Sequence, residues 1–323
     1  MLASFLSAKA QVYRCGTMEN LERLKQLDPE MEVRMNEIEK QTRDLISAAS
    51  IQKGDNPVTN GTIYKIPVVV HVVYNTSAQN ISDNQVQTQI AVLNEDYRRL
   101  NADKSNTPSA FASVAADAEI EFCLASVSPS GGATTGIIRK STSSASFIDD
   151  DKVKYSSSGG DDAWDATKYL NIWVCNLGGG LLGYAQFPGG ANTTDGVVIN
   201  YQYFGRGGSA GAPYDKGRTA THEVGHWLNL RHIWGDANCG DDFVSDTPTQ
   251  QTSNYGCPSF PHQTCSNGSN GDMFMNYMDY TDDGCMNMFS AGQKSRMRTL
   301  LGTSGARVRV LSSGGCGSST TPS

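Results

Sequence analysis

The sequence predicts an α/β fold of the α+β kind: a helical leading segment, then one large domain built on a mixed sheet. Three observations carry this. Residues 18–50 are rich in Glu, Lys, Arg, Met and Leu and contain no Gly, with Pro29 their only Pro. Residues 54–62 form a polar Gly/Asn/Pro stretch, of the kind that marks a boundary open to proteases. Beyond it, β-branched runs and stretches of helical spacing succeed one another.

In chain order, residues 1–10 begin Met-Leu-Ala-Ser-Phe-Leu and end Ala8-Lys9-Ala10. That ending matches the cleavage end of a signal peptide, and 1–10 is read as its remnant. Residues 11–54 make up the leading segment, with one or two exposed helices over 18–50. The main domain runs over 55–311. Residues 66–74 are β-branched and predict a strand. Residues 82–100 have apolar spacing close to 3.6, which predicts an amphipathic helix capped by Ser82 or Asp83. Strands follow at 120–125, 169–175, 183–187 and 196–200. From 235 to 288 the chain is Gly-, Asp-, Asn- and Cys-rich with little periodicity. A stretch that long and irregular is functional or stapled. Residues 290–301 predict a last helix, and the Gly/Ser/Thr-rich 312–323 a flexible tail.

Composition narrows the classes. A formal net charge of −7 and the lack of any Lys/Arg-rich run argue against nucleic acid. The longest apolar run, 66–74, is broken by His71 and too short to cross a bilayer, so no membrane insertion is expected. Of the eight cysteines, Cys239, Cys257, Cys265 and Cys285 fall in the irregular stretch, and there is no CxxC pair. Clustered cysteines of this kind read as disulfides and place the chain in an oxidising, secreted setting. The four allow three pairings. Cys123 and Cys175 lie on predicted strands, paired or merely buried, and Cys316 is unassigned. Five Asn-x-Ser/Thr sequons, at Asn60, Asn75, Asn80, Asn192 and Asn267, are compatible with that setting.

The chemistry concentrates in His222-Glu223-Val224-Gly225-His226. Helical residues four apart share a face, so both imidazoles converge on one point, as a tetrahedral zinc requires. Glu223 lies beside that face, placed as a general base and not as a ligand. His232 is ten residues past His222, roughly 15 Å along an unbroken helix. It reaches the metal only if the helix stops between Leu228 and Arg231. Asn229 stands there, and Asn ranks after Gly for a left-handed stop. His71, in an apolar strand, reads as a satisfied core residue, and His262 as solvated or bonded within the cysteine-rich loop. The loop 239–247 offers Asp242, Asp246, Thr247 and backbone carbonyls, hard oxygen donors of the kind calcium takes. Two other readings stay open on the motif: a zinc hydrolase of a non-peptide amide, and a catalytically silent zinc-binding module. The presence of Glu223 weighs against the second.

HEVGHWLNLRH together with Asn276-Tyr277-Met278-Asp279-Tyr280 resembles the metzincin clan of zinc endopeptidases. Within the clan the chain is most similar to the pappalysin family and its microbial ulilysin-like members. Gly183-Tyr184-Ala185-Gln186-Phe187-Pro188, Asp246-Thr247-Pro248, Cys285-Met286-Asn287-Met288-Phe289, Gln293 and Arg296-Met297 extend the match to roughly residues 64–302. Asn229 departs from the family's usual Gly, and since Asn tolerates positive φ the turn is expected to survive.

The resemblance implies a zincin with a mixed twisted sheet, an active-site helix, a Met-turn and an irregular, disulfide-stapled C-terminal subdomain. It implies a secreted endopeptidase acting on proteins or peptides, with zinc and calcium as cofactors. Met278 would form the floor under the zinc, and Tyr280 would aim its hydroxyl at the metal. Gly183 and Ala185 would form the upper rim of the cleft, pairing with substrate by β-augmentation. Arg14-Cys15-Gly16-Thr17 resembles the cysteine switch of clan zymogens, with Cys15 on the zinc. Cys239–Cys265 and Cys257–Cys285 are the implied disulfides. Asp283 would select Arg or Lys just after the scissile bond, because a buried carboxylate needs a cationic partner. On that specificity, Gln52–Lys53 is a bond the enzyme would cut in itself.

Overall fold

The computed structural model describes residues 14–53, 61–312 and 315–316. The expected leader remnant at 1–10, most of the expected linker at 54–62 and residues 313–314 and 317–323 of the tail lie outside them.

The leading segment forms two helices, α1 (Thr17–Leu27) and α2 (Glu30–Lys53). They break at Asp28-Pro29, where proline disfavours helical geometry in the residue before it. The sheet contains β1 (Tyr64–Tyr74), β2 (Ile120–Leu124), β3 (Ile137–Ser141), β4 (Leu170–Cys175), β5 (Gly183–Ala185) and β6 (Val197–Asn200). Its order is β2-β1-β4-β6-β5. β2 pairs in parallel with the first half of β1, Tyr64↔Ile120 to Val68↔Leu124, and β3 with the second half, Val70↔Ile137 to Tyr74↔Ser141. Only β5, at the edge, runs antiparallel to its neighbour. β1 is buried on both faces, so, His71 apart, its residues are apolar without alternation from Ile66 to Val73. β3 was not predicted. Its sequence, IIRKS, is half-exposed along its length and gives no hydrophobic signal.

Besides a single turn at Ser109–Ala112, the domain has three longer helices among the described residues: α3 (Asp83–Tyr97), α4 (Arg218–Trp227) and α5 (Ala291–Leu301). Ser82 caps α3 through the Gln85 amide, and Ser290 with Gln293 makes a full capping box on α5. Val68, Val70 and Val72 of β1 join Val86, Ile90 and Leu93 of α3 and Val224 and Trp227 of α4 in the main core. Val73 faces the other way, into a smaller core with Trp173, Tyr184 and Val198. This two-sided packing brings α4 under β5, and the candidate site lies between them.

Residues 235–288 are irregular, as expected, and are stapled by Cys239–Cys265 and Cys257–Cys285. A third disulfide, Cys123–Cys316, ties β2 to the tail, where Gly315 also accepts the Ser126 amide at 2.8 Å. Cys175 is a buried free thiol within β4.

Candidate active site

Every residue of α4 is buried. The helix ends at Leu228, and Asn229 takes φ 68°, the left-handed stop the sequence called for. The Leu230 amide bonds back to the Gly225 carbonyl at 2.9 Å, which closes the turn and swings His232 toward α4. His226 Nε2 then lies 3.1 Å from both His222 Nε2 and His232 Nε2. His222 Nδ1 lies 2.7 Å from the Tyr277 carbonyl, and His226 Nδ1 2.8 Å from the Leu230 carbonyl. A carbonyl only accepts, so both Nδ1 atoms carry the proton and both Nε2 lone pairs point inward. His232 Nδ1 is held by Asp236, four residues on. Burial also drives the pKa values of His222 and His226 well below the usual range, which keeps them neutral. Neutral imidazole nitrogens converging this closely suit a divalent cation bound between them, and each ring is oriented by its outer partner.

The leading segment meets this cluster head on. Cys15 Sγ and the three histidines offer ligand atoms all within 4.8 Å of one another. Cys15 pairs in parallel with Gly183 of β5, and the Gly16 amide donates to the Gly183 carbonyl at 2.9 Å. Thr17 Oγ1 donates to Glu223 Oε2 at 2.9 Å and accepts from the Ala185 amide at 2.9 Å. Cys15 Sγ lies 3.4 Å from the same carboxylate oxygen. Burial pushes the Glu223 carboxyl up to about 8, against the lowering effect of Thr17 and Cys15. A Cβ on Gly183 would sit 3.0 Å from Glu223 Cγ, so the rim approaches the base only because this residue is glycine.

Beneath the histidines, a Cβ on Gly225 would lie 2.5 Å from Met278 Sδ, so Met278 presses directly on α4. Its amide is held by Asn276 Oδ1 at 2.9 Å, and Asn276 is locked to Gln293 of α5. Tyr280 places its hydroxyl 3.1 Å from His232 Nε2. Trp234 stacks on the His232 ring at 4.3 Å.

Asp283 is fully buried and accepts the Lys216 and Arg218 amides at 2.9 and 3.2 Å. Its second oxygen faces Arg14 of the leading segment at 3.5 Å. The Arg14 guanidinium also donates to the Thr281 carbonyl and lies over the Tyr214 ring at 4.7 Å. Among the loop residues named for calcium, both Asp242 oxygens lie 2.9 Å from Thr247 Oγ1, and burial pushes the Asp242 carboxyl up to about 7. Asp246 is turned away, accepting from Ser290 Oγ at 2.6 Å and the Gly292 amide at 2.8 Å at the start of α5. His71 is satisfied in the core by Asp161 at 2.7 Å and Asn171 at 3.0 Å, and half-exposed His262 lies 3.0 Å from Asp272.

Two partners of the cluster escaped the sequence reading. The i, i+4 spacing of His232 and Asp236 could have shown the first. Thr17 stands in the switch-like stretch, but nothing local marks its bond to Glu223, which arises only where the segment crosses β5.

A family model described as pregnancy-associated plasma protein-A, a peptidase family, matches residues 154–302. Extracellular metalloprotease 1 of Coccidioides posadasii is 34% identical over 246 residues, covering 73% of this chain and 76% of that protein. An extracellular metalloprotease of Pyricularia oryzae is 32% identical, covering 80% and 85%. Mature mirolysin of Tannerella forsythia, solved with a cleaved peptide, is 60% identical with a TM-score of 0.76, covering 77% of this chain and 96% of that one. A promirolysin mutant from the same organism is 53% identical with a TM-score of 0.84, covering 92% and 97%. The added coverage of the pro-form agrees with a leading segment folded over the site. Extracellular relatives and three disulfides together mark an extracellular protein. The chain belongs to the pappalysin family of metzincins, as the zymogen of an extracellular zinc metalloendopeptidase.

Proposed function

We propose that this zymogen matures into an endopeptidase that cuts on the amino side of Arg and Lys, with zinc on His222, His226 and His232 and Glu223 as general base. One observation carries the specificity. Arg14 seats its guanidinium against buried Asp283, one residue from the Cys15 thiol that faces the histidines. A cationic side chain next to the reacting position therefore has a fitted pocket, where a buried carboxylate can pair with it.

In the mature enzyme a peptide takes the place of residues 14–17 along β5. Its main chain uses the Gly183 carbonyl and the Ala185 amide, now engaged by Gly16 and Thr17. Zinc supplies Lewis-acid chemistry, lowering the pKa of water and polarising the scissile carbonyl. Glu223 takes the proton of the attacking water and passes it to the leaving amine. The Tyr280 hydroxyl, directed at the histidine cluster, steadies the oxyanion. Met278 serves as the apolar floor.

Latency has three parts on this reading: Cys15 on the metal, Arg14 in the pocket, and Thr17 on both the base and the rim. Residues 11–54 act as the pro-segment and 55–311 as the catalytic domain, with self-cleavage at Gln52–Lys53. Calcium binds the loop through Asp242 and Thr247, a buried carboxylate beside a hydroxyl. Asp246 fits such a site less well, since both its oxygens already serve α5.

Two experiments test the chemistry. Glu223→Ala should retain zinc and lose nearly all activity, whereas His232→Ala should lose zinc; normal metal content in the latter refutes the ligand set. Sequencing the new N-termini in a digested protein mixture should show Arg or Lys immediately after the cut. Asp283→Ala should erase that enrichment, and an unchanged profile overturns the pocket.

A further inference from the structure

We infer that Asp96, on α3, is a positioning residue for the metal site, fixing His222 through Tyr277 and Thr221. The inference rests on His222 being a zinc ligand.

Asp96 is buried, and both its oxygens are used. One accepts the Tyr277 hydroxyl at 2.8 Å and the other the Thr221 hydroxyl at 2.8 Å. Both partners adjoin the same ligand. Thr221 immediately precedes His222 in α4, and the Tyr277 carbonyl accepts the His222 Nδ1 proton at 2.7 Å. Tyr277 is gripped at both ends, since its amide bonds to the Met288 carbonyl at 3.1 Å while its hydroxyl is held by Asp96. The peptide unit that sets the His222 ring plane, that of Tyr277 and Met278, is itself held by the Met278 amide donating to Asn276 Oδ1 at 2.9 Å, and so has little freedom to turn. The Tyr97 hydroxyl, also on α3, adds a bond to the Thr221 carbonyl at 3.1 Å.

A buried carboxylate is a costly way to join two helices when apolar contact would serve. Here the cost is offset in part by Arg218. Its guanidinium lies 3.6 Å from Asp96 and is anchored to Asp103 by two bonds of 2.6 and 2.7 Å. The arrangement extends the familiar ligand–acceptor pair one step outward: histidine to carbonyl, and the residue bearing that carbonyl to a carboxylate. Outer partners of this kind commonly change metal affinity or activity about 10–100-fold when removed.

The test uses matured enzyme carrying Asp96→Asn, Tyr277→Phe, both together, and, as a control, Tyr169→Phe, which loses a hydroxyl donated to the Val127 carbonyl at 2.8 Å, outside the pathway. Zinc release to a chelator is followed alongside kcat and KM on a peptide. Each of the first two should speed zinc release about 10–100-fold and lower kcat, with KM within about twofold. The double variant should be no worse than the poorer single, as expected of one linked pathway. Tyr169→Phe should release zinc like wild type. Additive singles, or variants that lose thermal stability without faster zinc release, overturn the proposal. If Asp96→Asn does not fold, Tyr277→Phe decides alone, and normal zinc release in it is refuting. Wild-type enzyme purified without zinc would refute the ligand assignment itself, which separates the two failures.

Discussion

At the scale of single residues, the site is built by close approach. Gly225 shows this most directly, because Met278 Sδ occupies the space a Cβ would take, at 2.5 Å. The residue lies between His222 and His226, so the helix cannot yield without moving a ligand. Gly225→Ala should therefore destabilise the protein despite alanine's better helix propensity, by about 1–3 kcal/mol, the usual cost of overpacking a core. A thermal melt of that variant would measure it, and an unchanged or raised Tm would show that Met278 can move aside. Asn229 is the complementary case. It takes the left-handed conformation at φ 68° that the family usually gives to glycine, and the turn is intact.

At the scale of elements, the leading segment is held well beyond Cys15. Leu21 of α1 and Met31 and Met35 of α2 pack on Phe187, whose ring meets the His226 ring edge-on at 5.3 Å. Arg23 and Asn20 of α1 reach Asp151, which also holds the buried Lys154 at 2.8 Å. Glu39 of α2 makes bonds of 3.1 and 2.6 Å to Arg296, a residue only 1% exposed. Breaking one side of a buried ion pair leaves the other uncompensated. Glu39→Gln should loosen the segment, and Cys15→Ala should free the metal position. Both variants should give the mature form sooner than wild type in a time course of self-processing. Equal latency in Cys15→Ala would move the credit from the thiol to the cover provided by the helices, and equal latency in Glu39→Gln would show that its ion pair is not a latch.

At the scale of the whole molecule, a sheet-and-helix body carries an irregular half that has little regular structure of its own. That half is closed by two disulfides spanning 26 and 28 residues, and bonds closing loops of this length contribute about 2–4 kcal/mol each. Calcium would add to the same half, since a ligand that binds only the folded state stabilises it. Calcium should raise the melting temperature of wild type, and Asp242→Asn should shrink the shift. An equal shift in both would place the ion elsewhere. Cys123–Cys316 acts on the other half, fastening the tail to β2.

The sequence by itself determined the three converging histidines, the glutamate beside them and the helix stop between His226 and His232, because these depend on spacing along one helix and one turn. It also determined the main strands and helices, whose apolar periodicity is local. By resemblance it supplied the two disulfides of the irregular segment. Only the tertiary structure decided the rest. Thr17 lies on Glu223 because residues 14–17 run along β5, a contact made across 206 residues. Asp96 meets Tyr277 across 181 residues, and Cys123 meets Cys316 across 193. β3 was missed because an exposed edge strand has no apolar face to announce it. Asp246 serves α5 because the chain folds back to bring Ser290 and Gly292 within its reach. Such partners are set by how layers pack, and a spacing rule read along the chain cannot see across the gap.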